Sequence, residues 1–420
     1  MLTCAHFKKS LATGLALATV LTTPIYATNA PTEPASPTES ITETLPPPVP
    51  KPKDIEVEAT GAILIDELSG RVLWEKNGFD PLAMASTTKI MTLIVALENA
   101  DLSDMVKISS KAASQPRVKM NLSAGEEIKL EYLLYALMLQ SFNDSAVAIA
   151  EHVGGNVESF CKMMTDKAKQ IGAYDTIFET PSGLDKGEHH STAYDMAIIA
   201  RYAMTNPEFI RITNTKSAEV TSNKKTYSLI NKNRLLYEMP GAKGVKTGFT
   251  NKAGHCFVGA VERDGMGFIS VVLGSGWGGN RHQKWIDTKK ILNHGFEHFK
   301  YYPIVTEPDT GETIAVERSR QPELGLVFDT TLHLPLSAYE HSTLRIEVEA
   351  PTTVKAPVTA GQQLGVAKIY IDNALEHELP VLAASDAKRH DLKTSIEKIL
   401  NAWFSMAGEA DLVLPEFTKE

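Results

Sequence analysis

The sequence predicts a mixed α/β domain, an antiparallel sheet flanked by helices, followed by a small all-β domain. Three observations carry this expectation. Strand patterns open and close the first three hundred residues, with helical periodicity between them. A hairpin dipeptide, Asp264-Gly265, joins the last two of those strands. Beyond about Tyr301 only short β-rich runs remain, separated by turn residues. Early strands, a helical middle and late antiparallel strands make a mixed domain, in which strands from both ends share one sheet.

The N-terminal segment, residues 1–30, reads as a secretory signal. Lys8 and Lys9 are its positive start, Leu11 to Leu21 its apolar core, and Pro24, Ala27 and Ala30 its cleavage region. The apolar stretch is short for a spanning helix, and an uncleaved anchor is the alternative. Cys4 precedes the apolar stretch, where a lipid-bearing cysteine would not stand. Residues 31–53 are rich in Pro, Thr and Glu and cannot bury apolar surface, so they form an extended linker.

Residues 54–298 form the first domain. Ala62 to Leu68 and Arg71 to Trp74 are strands joined at Ser69-Gly70. After Met84, Ile90, Leu93, Ile94 and Leu97 recur at helical spacing, broadened by Met91 and Val95, which predicts a central buried helix. Helices follow at about Glu131 to Leu139 and Ser145 to Val153, the second closed by Gly154-Gly155. Strands then run over Gly244 to Phe249, Cys256 to Glu262 and Phe268 to Leu273, before a helix through Trp285, Ile286, Ile291 and Leu292 to about Phe296. Residues 299–385 form the β-rich domain, with runs such as Gly325 to Phe328, Thr331 to Leu334, Leu344 to Val348 and Val366 to Ile371, and a turn at Gly361 to Gly365 leading into its last hairpin.

At 420 residues the chain is long enough for two full cores. Its net charge of −9 argues against a nucleic-acid partner, which favours a basic surface. With the signal removed, Cys161 and Cys256 remain, too few for a disulfide framework, and read as buried free thiols.

The chemistry lies in three motifs: Ser86-Thr87-Thr88-Lys89, Ser141-Phe142-Asn143 and Lys246-Thr247-Gly248. Ser-x-x-Lys also occurs at Ser159, Ser222, Ser385 and Ser395, but only Ser86 precedes both other motifs. Ser86 and Lys89 are three residues apart at a helix start and share a face. A serine hydroxyl needs a base to become a nucleophile. A neutral Lys89 can serve once burial and a second cation lower its pKa, and Lys246 is the candidate cation. The free N–H of Ser86 can hold an oxyanion. Ser141 and Asn143 fall between two helices, where Ser141 can relay a proton and Asn143 can bond the lysine and a substrate amide. Lys246 and Thr247 can bind a carboxylate on an edge strand, and Gly248 lets a substrate backbone approach. The plain alternatives are an N-cap serine, a helix connection with Asp144 capping the next helix, and a strand with one outward lysine.

Around these motifs, Gly244 to Thr250 continuing through Ala253 to Cys256 resembles the D-alanyl-D-alanine carboxypeptidase type of low-molecular-mass penicillin-binding protein. Thr180 to Asp185, His190 to Asp195 and Asn231 to Leu236 resemble further blocks of that family. The resemblance implies a β-lactamase/transpeptidase-like domain, and a peptidase removing the terminal D-alanine from peptidoglycan pentapeptide stems through an acyl-enzyme on Ser86. It implies β-lactam antibiotics as inhibitors, no cofactor and no metal. It places Lys246 and Thr247 at the terminal carboxylate, Lys232 in a slot often held by arginine, and Arg281 as a helping cation. Phe249 stands where a relative carries histidine, and its N–H would still serve the oxyanion. A class A β-lactamase would add Glu-x-x-Leu-Asn between the second and third motifs; its one match here, Glu397 to Asn401, lies far downstream. A D,D-endopeptidase would use the same site, and a vestigial-site peptidoglycan-binding scaffold would lack part of it.

Residues 386–420 are expected to form an amphipathic helix and an acidic tail. Ile396, Ile399, Leu400, Trp403 and Phe404 make one apolar stripe. Family resemblance implies that such a helix lies on the outer face of the inner membrane, placing the exported enzyme in the periplasm. Packing of the stripe on the β-rich domain is the alternative.

Overall fold

The computed structural model describes residues 49–277, 279–306 and 308–390, together with 396, 399–403 and 405. The signal, most of the linker, Phe404 and the acidic tail lie outside the described residues. The chain divides into two compact units, Pro52–Tyr301 with Leu334–Ser337, and the remaining residues from Tyr302 onward with those up to Lys51.

In chain order the first unit comprises β1 (Gly61–Asp66), β2 (Val72–Lys76), α1 (Lys89–Asn99), β3 (Met105–Lys107), α2 (Ser110–Ala113), β4 (Glu127–Lys129) and α3 (Leu130–Tyr135). It continues through α4 (Asn143–Gly154), α5 (Val157–Gln170), α6 (Ala193–Ala203), α7 (Pro207–Asn214), β5 (Ser217–Thr221), β6 (Thr226–Ile230) and α8 (Leu235–Glu238). It closes with β7 (Ala242–Thr250), β8 (Gly254–Arg263), β9 (Met266–Ser275) and α9 (Gln283–His298).

Its main sheet is antiparallel in the order β2-β1-β9-β8-β7, so strands from both ends of the unit share it and β7 is an edge. The pleat sends alternate residues to opposite layers. Ile63, Ile65, Val258, Ala260, Ile269 and Val271 face the core that includes α1 and α4 to α6. Ala62, Leu64, Phe257, Val261, Phe268 and Val272 face Trp285, Ile291 and Leu292 of α9. Burial on both faces explains why these strands read as continuous apolar runs. Within α1, Lys89 to Ala96 are all buried.

The structure departs from the sequence expectation at several element boundaries. The first strand stops at Asp66, whose carboxylate accepts the N–H and the hydroxyl of Ser69 at 2.6 and 2.7 Å and bends the chain into its turn. The helix expected to reach Leu139 ends as α3 at Tyr135 and continues as a π-helical turn over Ala136–Gln140, closed by Ser141 in the left-handed region at φ 66°. Asn143, expected in a loop, is the first residue of α4. Asp144 does not cap that helix from outside; its buried carboxylate accepts the N–H groups of Met120 and Leu122 at 2.9 and 3.2 Å.

The second unit takes up the chain within β10 (Phe299–Val305) and contains β11 (Asp309–Glu317), β12 (Glu323–Phe328), β14 (Arg345–Glu349), β15 (Thr353–Lys355), β16 (Gln363–Ile371) and β17 (Ala374–Ala383). Of β13 (Leu332–Ser337), Leu334–Ser337 belongs to the first unit. Six strands form one sheet, β14-β16-β17-β12-β11-β15, around a core that includes Leu324, Leu326, Ala367 and Val381. A short helix, α10 (Ala338–Thr343), interrupts its all-β character. Asp372 and Asn373, both at positive φ, make the two-residue turn between β16 and β17. Backbone pairing continues past Ser385: Ala387 pairs with Val358, and the His390 N–H reaches the Arg318 carbonyl at 2.7 Å. Among the described residues no helix is long and apolar enough to cross a membrane.

Candidate active site

The first motif builds a 3-10 turn, Ala85–Thr88, ahead of α1. Its hydroxyls bond the local backbone, Thr87 to the Met84 carbonyl at 2.6 Å and Thr88 to the Ala85 carbonyl at 2.8 Å. Such bonds compete with regular helix and hold the tighter turn. Ala85 sits at φ 48°, a conformation that costs a non-glycine residue about 1–3 kcal/mol and persists only when its surroundings impose it.

Lys89 is wholly buried, and its Nζ meets three acceptors: Ser86 Oγ at 2.9 Å, Asn143 Oδ1 at 3.0 Å and the Ser182 carbonyl at 2.5 Å. Three acceptors satisfy an ammonium. A neutral amine fits the same cage, with two N–H bonds to Asn143 and Ser182 and its lone pair toward the Ser86 hydroxyl. Burial, reinforced by the Lys246 charge and opposed by Asp144, holds the Lys89 pKa well below the usual lysine value. Both effects shift the balance of Lys89 toward the neutral, basic form. Ser141 Oγ is buried and has no hydrogen-bond partner among the described residues, which leaves it free to exchange a proton.

Lys246 on β7 is also buried, and donates to the Thr247 carbonyl at 2.9 Å. Burial, then the charges of Lys232 and Lys284, push its pKa down to about 7. Lys232 is fixed by its own N–H on the Leu139 carbonyl and by Nζ on the Gln140 carbonyl at 3.2 Å. Asn231 and Asn233 secure that segment, Asn231 by donating to the Thr213 and Thr215 carbonyls and Asn233 by accepting the Leu235 N–H. Arg281 is exposed, and its carbonyl accepts from Lys284 Nζ at 3.3 Å. Lys284, absent from the sequence reading, is the buried cation of this helix start; burial pushes its pKa down to about 8.

Gly248 lies against the nucleophile turn. A Cβ there would stand 2.9 Å from the Ser86 nitrogen and 3.1 Å from that of Thr87, so only glycine permits this approach. Phe249 is half exposed, its ring 4.4 Å from that of His255. Thr250 donates to Asp185 Oδ1 at 3.0 Å, tying the strand to the Thr180–Asp185 segment. Gly183 in that segment is at φ 82°, and a Cβ on it would lie 1.9 Å from the Ala85 carbonyl oxygen. Sequence reasoning saw this segment only as a family block; its contribution through the Ser182 carbonyl carries no side-chain signal.

Cys161 and Cys256 are buried and unpaired, and burial pushes their thiols up to about 11 and about 12. Among the described residues no group of three or more His, Cys, Asp or Glu is placed to hold a metal ion.

A sheet carrying helices on both faces, with a buried lysine bonded to a serine beside the sheet's edge strand, defines a serine enzyme of the penicillin-binding class. Residues 48–276 match the family profile described as D-alanyl-D-alanine carboxypeptidase, and residues 299–389 that of the penicillin-binding protein 5 C-terminal domain. The chain is 32% identical over 353 residues to the D-alanyl-D-alanine carboxypeptidase DacF of Bacillus subtilis, covering 82% of this chain and 90% of that one. To DacC of Escherichia coli it is 30% identical over 79% of this chain and 85% of the relative. Penicillin binding protein 5 from Haemophilus influenzae superposes with a TM-score of 0.70 at 27% identity, over 80% of this chain and 99% of that one. The chain belongs to the D-alanyl-D-alanine carboxypeptidase family and is a serine-type hydrolase. These likenesses favour carboxypeptidase over the β-lactamase, endopeptidase and scaffold alternatives.

Proposed function

We propose that this enzyme removes the terminal D-alanine of peptidoglycan pentapeptide stems through an acyl-enzyme on Ser86. The observation that carries the reading is the buried Lys89 amine, bonded at once to Ser86 Oγ, Asn143 Oδ1 and the Ser182 carbonyl. Lys89 takes the Ser86 proton as Oγ bonds to the carbonyl carbon of the penultimate D-alanine. The peptide C–N bond then breaks, and the proton passes to the leaving amine with Ser141 as relay. Water repeats the sequence in reverse and releases the tetrapeptide. The N–H groups of Ser86 and Phe249 receive the oxyanion. Asn143 also orients a substrate amide. Lys246 and Thr247 bind the terminal carboxylate beside Gly248, within the positive field of Lys232 and Lys284, to which Arg281 adds from the surface.

Penicillins acylate the same serine and block it. No cofactor or metal enters this mechanism. The N-terminal Lys8-Lys9 and Leu11–Leu21 pattern supports export to the periplasm. The exposed Ile396, Ile399, Leu400 and Trp403 support a peripheral hold on the outer face of the inner membrane. The net charge of −9 is consistent with no nucleic-acid partner.

Incubation with a pentapeptide stem and with a crosslinked dimer, followed by mass identification of products, tests the reading. Free D-alanine and tetrapeptide from the first substrate, with the dimer intact, is the expected result. Cleavage of the dimer alone would make the enzyme an endopeptidase.

A further inference from the structure

His189 is buried beneath the nucleophile turn, and the two residues that follow it are paired to different segments. His190 pairs with Ile177, and Ser191 pairs with Leu82. The His189 Nδ1 accepts the Glu179 N–H at 3.0 Å, so the proton of the neutral ring is on Nε2. Nε2 lies 2.9 Å from the Thr88 hydroxyl. Thr88 gives its own hydrogen to the Ala85 carbonyl at 2.8 Å and therefore accepts from His189. One direction satisfies the whole chain: Glu179 N–H to Nδ1, Nε2–H to Thr88, and Thr88 O–H to Ala85. Burial lowers the His189 pKa to about 4, which keeps the ring neutral at neutral pH.

The chain ends on a significant atom. The Ala85 carbonyl and the Ser86 N–H belong to one planar peptide unit and point in opposite directions. Whatever pins that oxygen also aims that N–H, and a preorganised oxyanion donor acts only if its aim is fixed before reaction. Ala85 is at φ 48°, so its own conformational preference does not hold the peptide in place.

We propose that His189 is a positioning residue which, through the Thr88 hydroxyl, aims the Ser86 N–H at the developing oxyanion. The inference rests on Ser86 being the acylated residue. It concerns the transition state rather than ground-state binding, so the effect belongs in the acylation rate and in kcat, not in KM.

The test measures the rate of acylation by a fluorescent penicillin, the final fraction acylated, the labelled residue and peptidase kinetics in His189→Ala, His189→Gln, Thr88→Val and the Ala/Val double variant. Expected are acylation slowed about 10- to 100-fold in His189→Ala and Thr88→Val, short of the 10²–10³ that goes with a whole donor. KM should be unchanged, the full population labelled on Ser86, and the double variant no slower than Thr88→Val. His189→Gln, whose amide N–H can reach Thr88, should recover most of the rate. If His189→Ala does not fold, the near-isosteric Thr88→Val and the rescue variant decide. Unchanged rates with label on Ser86, or additive effects, overturn the positioning role alone. So does a loss seen only as a smaller labelled fraction at normal rate, which is a folding defect. Label on another serine overturns the Ser86 assignment and this inference together.

Discussion

Lys89 and Lys246 are two buried amines with different surroundings, and the difference predicts different responses to one substitution. Lys89 faces three acceptors, the nucleophile among them; Lys246 faces a backbone carbonyl within a field of other lysines. Arginine keeps the charge but does not give up its proton. Lys89→Arg should therefore nearly abolish acylation, whereas Lys246→Arg should retain part of it with a raised KM for peptide. Equal and complete loss in both would contradict the division of roles. A second expectation concerns stability. The folded-state pKa of Lys246 is lowered to about 7, below its ordinary 10.5, so between those values the unfolded chain binds more protons. Stability attributable to this residue is lowest below about pH 7 and rises with pH through that window, by up to about 1.4 kcal/mol per pH unit. Urea unfolding of Lys246→Met at pH 6.5 and pH 9.5 should show a weaker pH dependence than the parent; an identical dependence would refute the lowered value. Ser86, Lys89 and Lys246 were legible in the sequence because their motifs recur in a fixed order. Ser182 and His189 were not, since one acts through a carbonyl and the other through a buried hydroxyl. Lys284 reads as an ordinary helix-start lysine until the fold buries it.

Among the elements, the nucleophile turn depends on the segment that packs on it. Gly183 meets the Ala85 carbonyl so closely, and at so positive a φ, that a methyl group has no room. Gly183→Ala should lower stability by at least about 2 kcal/mol, from strain and overpacking, and should slow acylation in the fraction that folds. Normal thermal stability and acylation would show that this contact is not a constraint. The five-stranded sheet was largely legible because its inner strands β1, β8 and β9 are buried on both faces and read as apolar runs. The boundaries failed where side chains rewrote the backbone. Asp66 ended a strand by capturing Ser69, and the π-helical turn delivered Ser141 in a left-handed conformation that helical periodicity does not signal. In the second unit the Gly361–Gly365 turn leads, as expected, into the last hairpin, β16 and β17; the Asp372-Asn373 turn within it, without a glycine, gave no strong signal of where the second strand begins.

Across the whole molecule, the expected membrane helix and the last paired residues of the second unit lie close together in sequence. Because backbone pairing runs to His390, a truncation after Asp386 would cut into the fold, and the cut belongs after His390. Protein ending at His390 should leave membranes while keeping peptidase activity on soluble peptide; continued sedimentation with membranes would make the C-terminal helix an internal packing element. Burial of large apolar side chains is worth roughly 1.5–3 kcal/mol each when complete. Lys388, Arg389, Lys393 and Lys398 are largely offset by Asp386, Asp391 and Glu397. Attachment should accordingly be little affected by salt.

Acylation of Ser86 underlies every step proposed above. Its most direct test is the intact mass and peptide map of the protein after brief exposure to a penicillin, beside Ser86→Ala. One added penicillin mass is expected on the peptide containing Ser86, and none on the variant. A full mass increase on Ser86→Ala, mapped to any other residue, would contradict it.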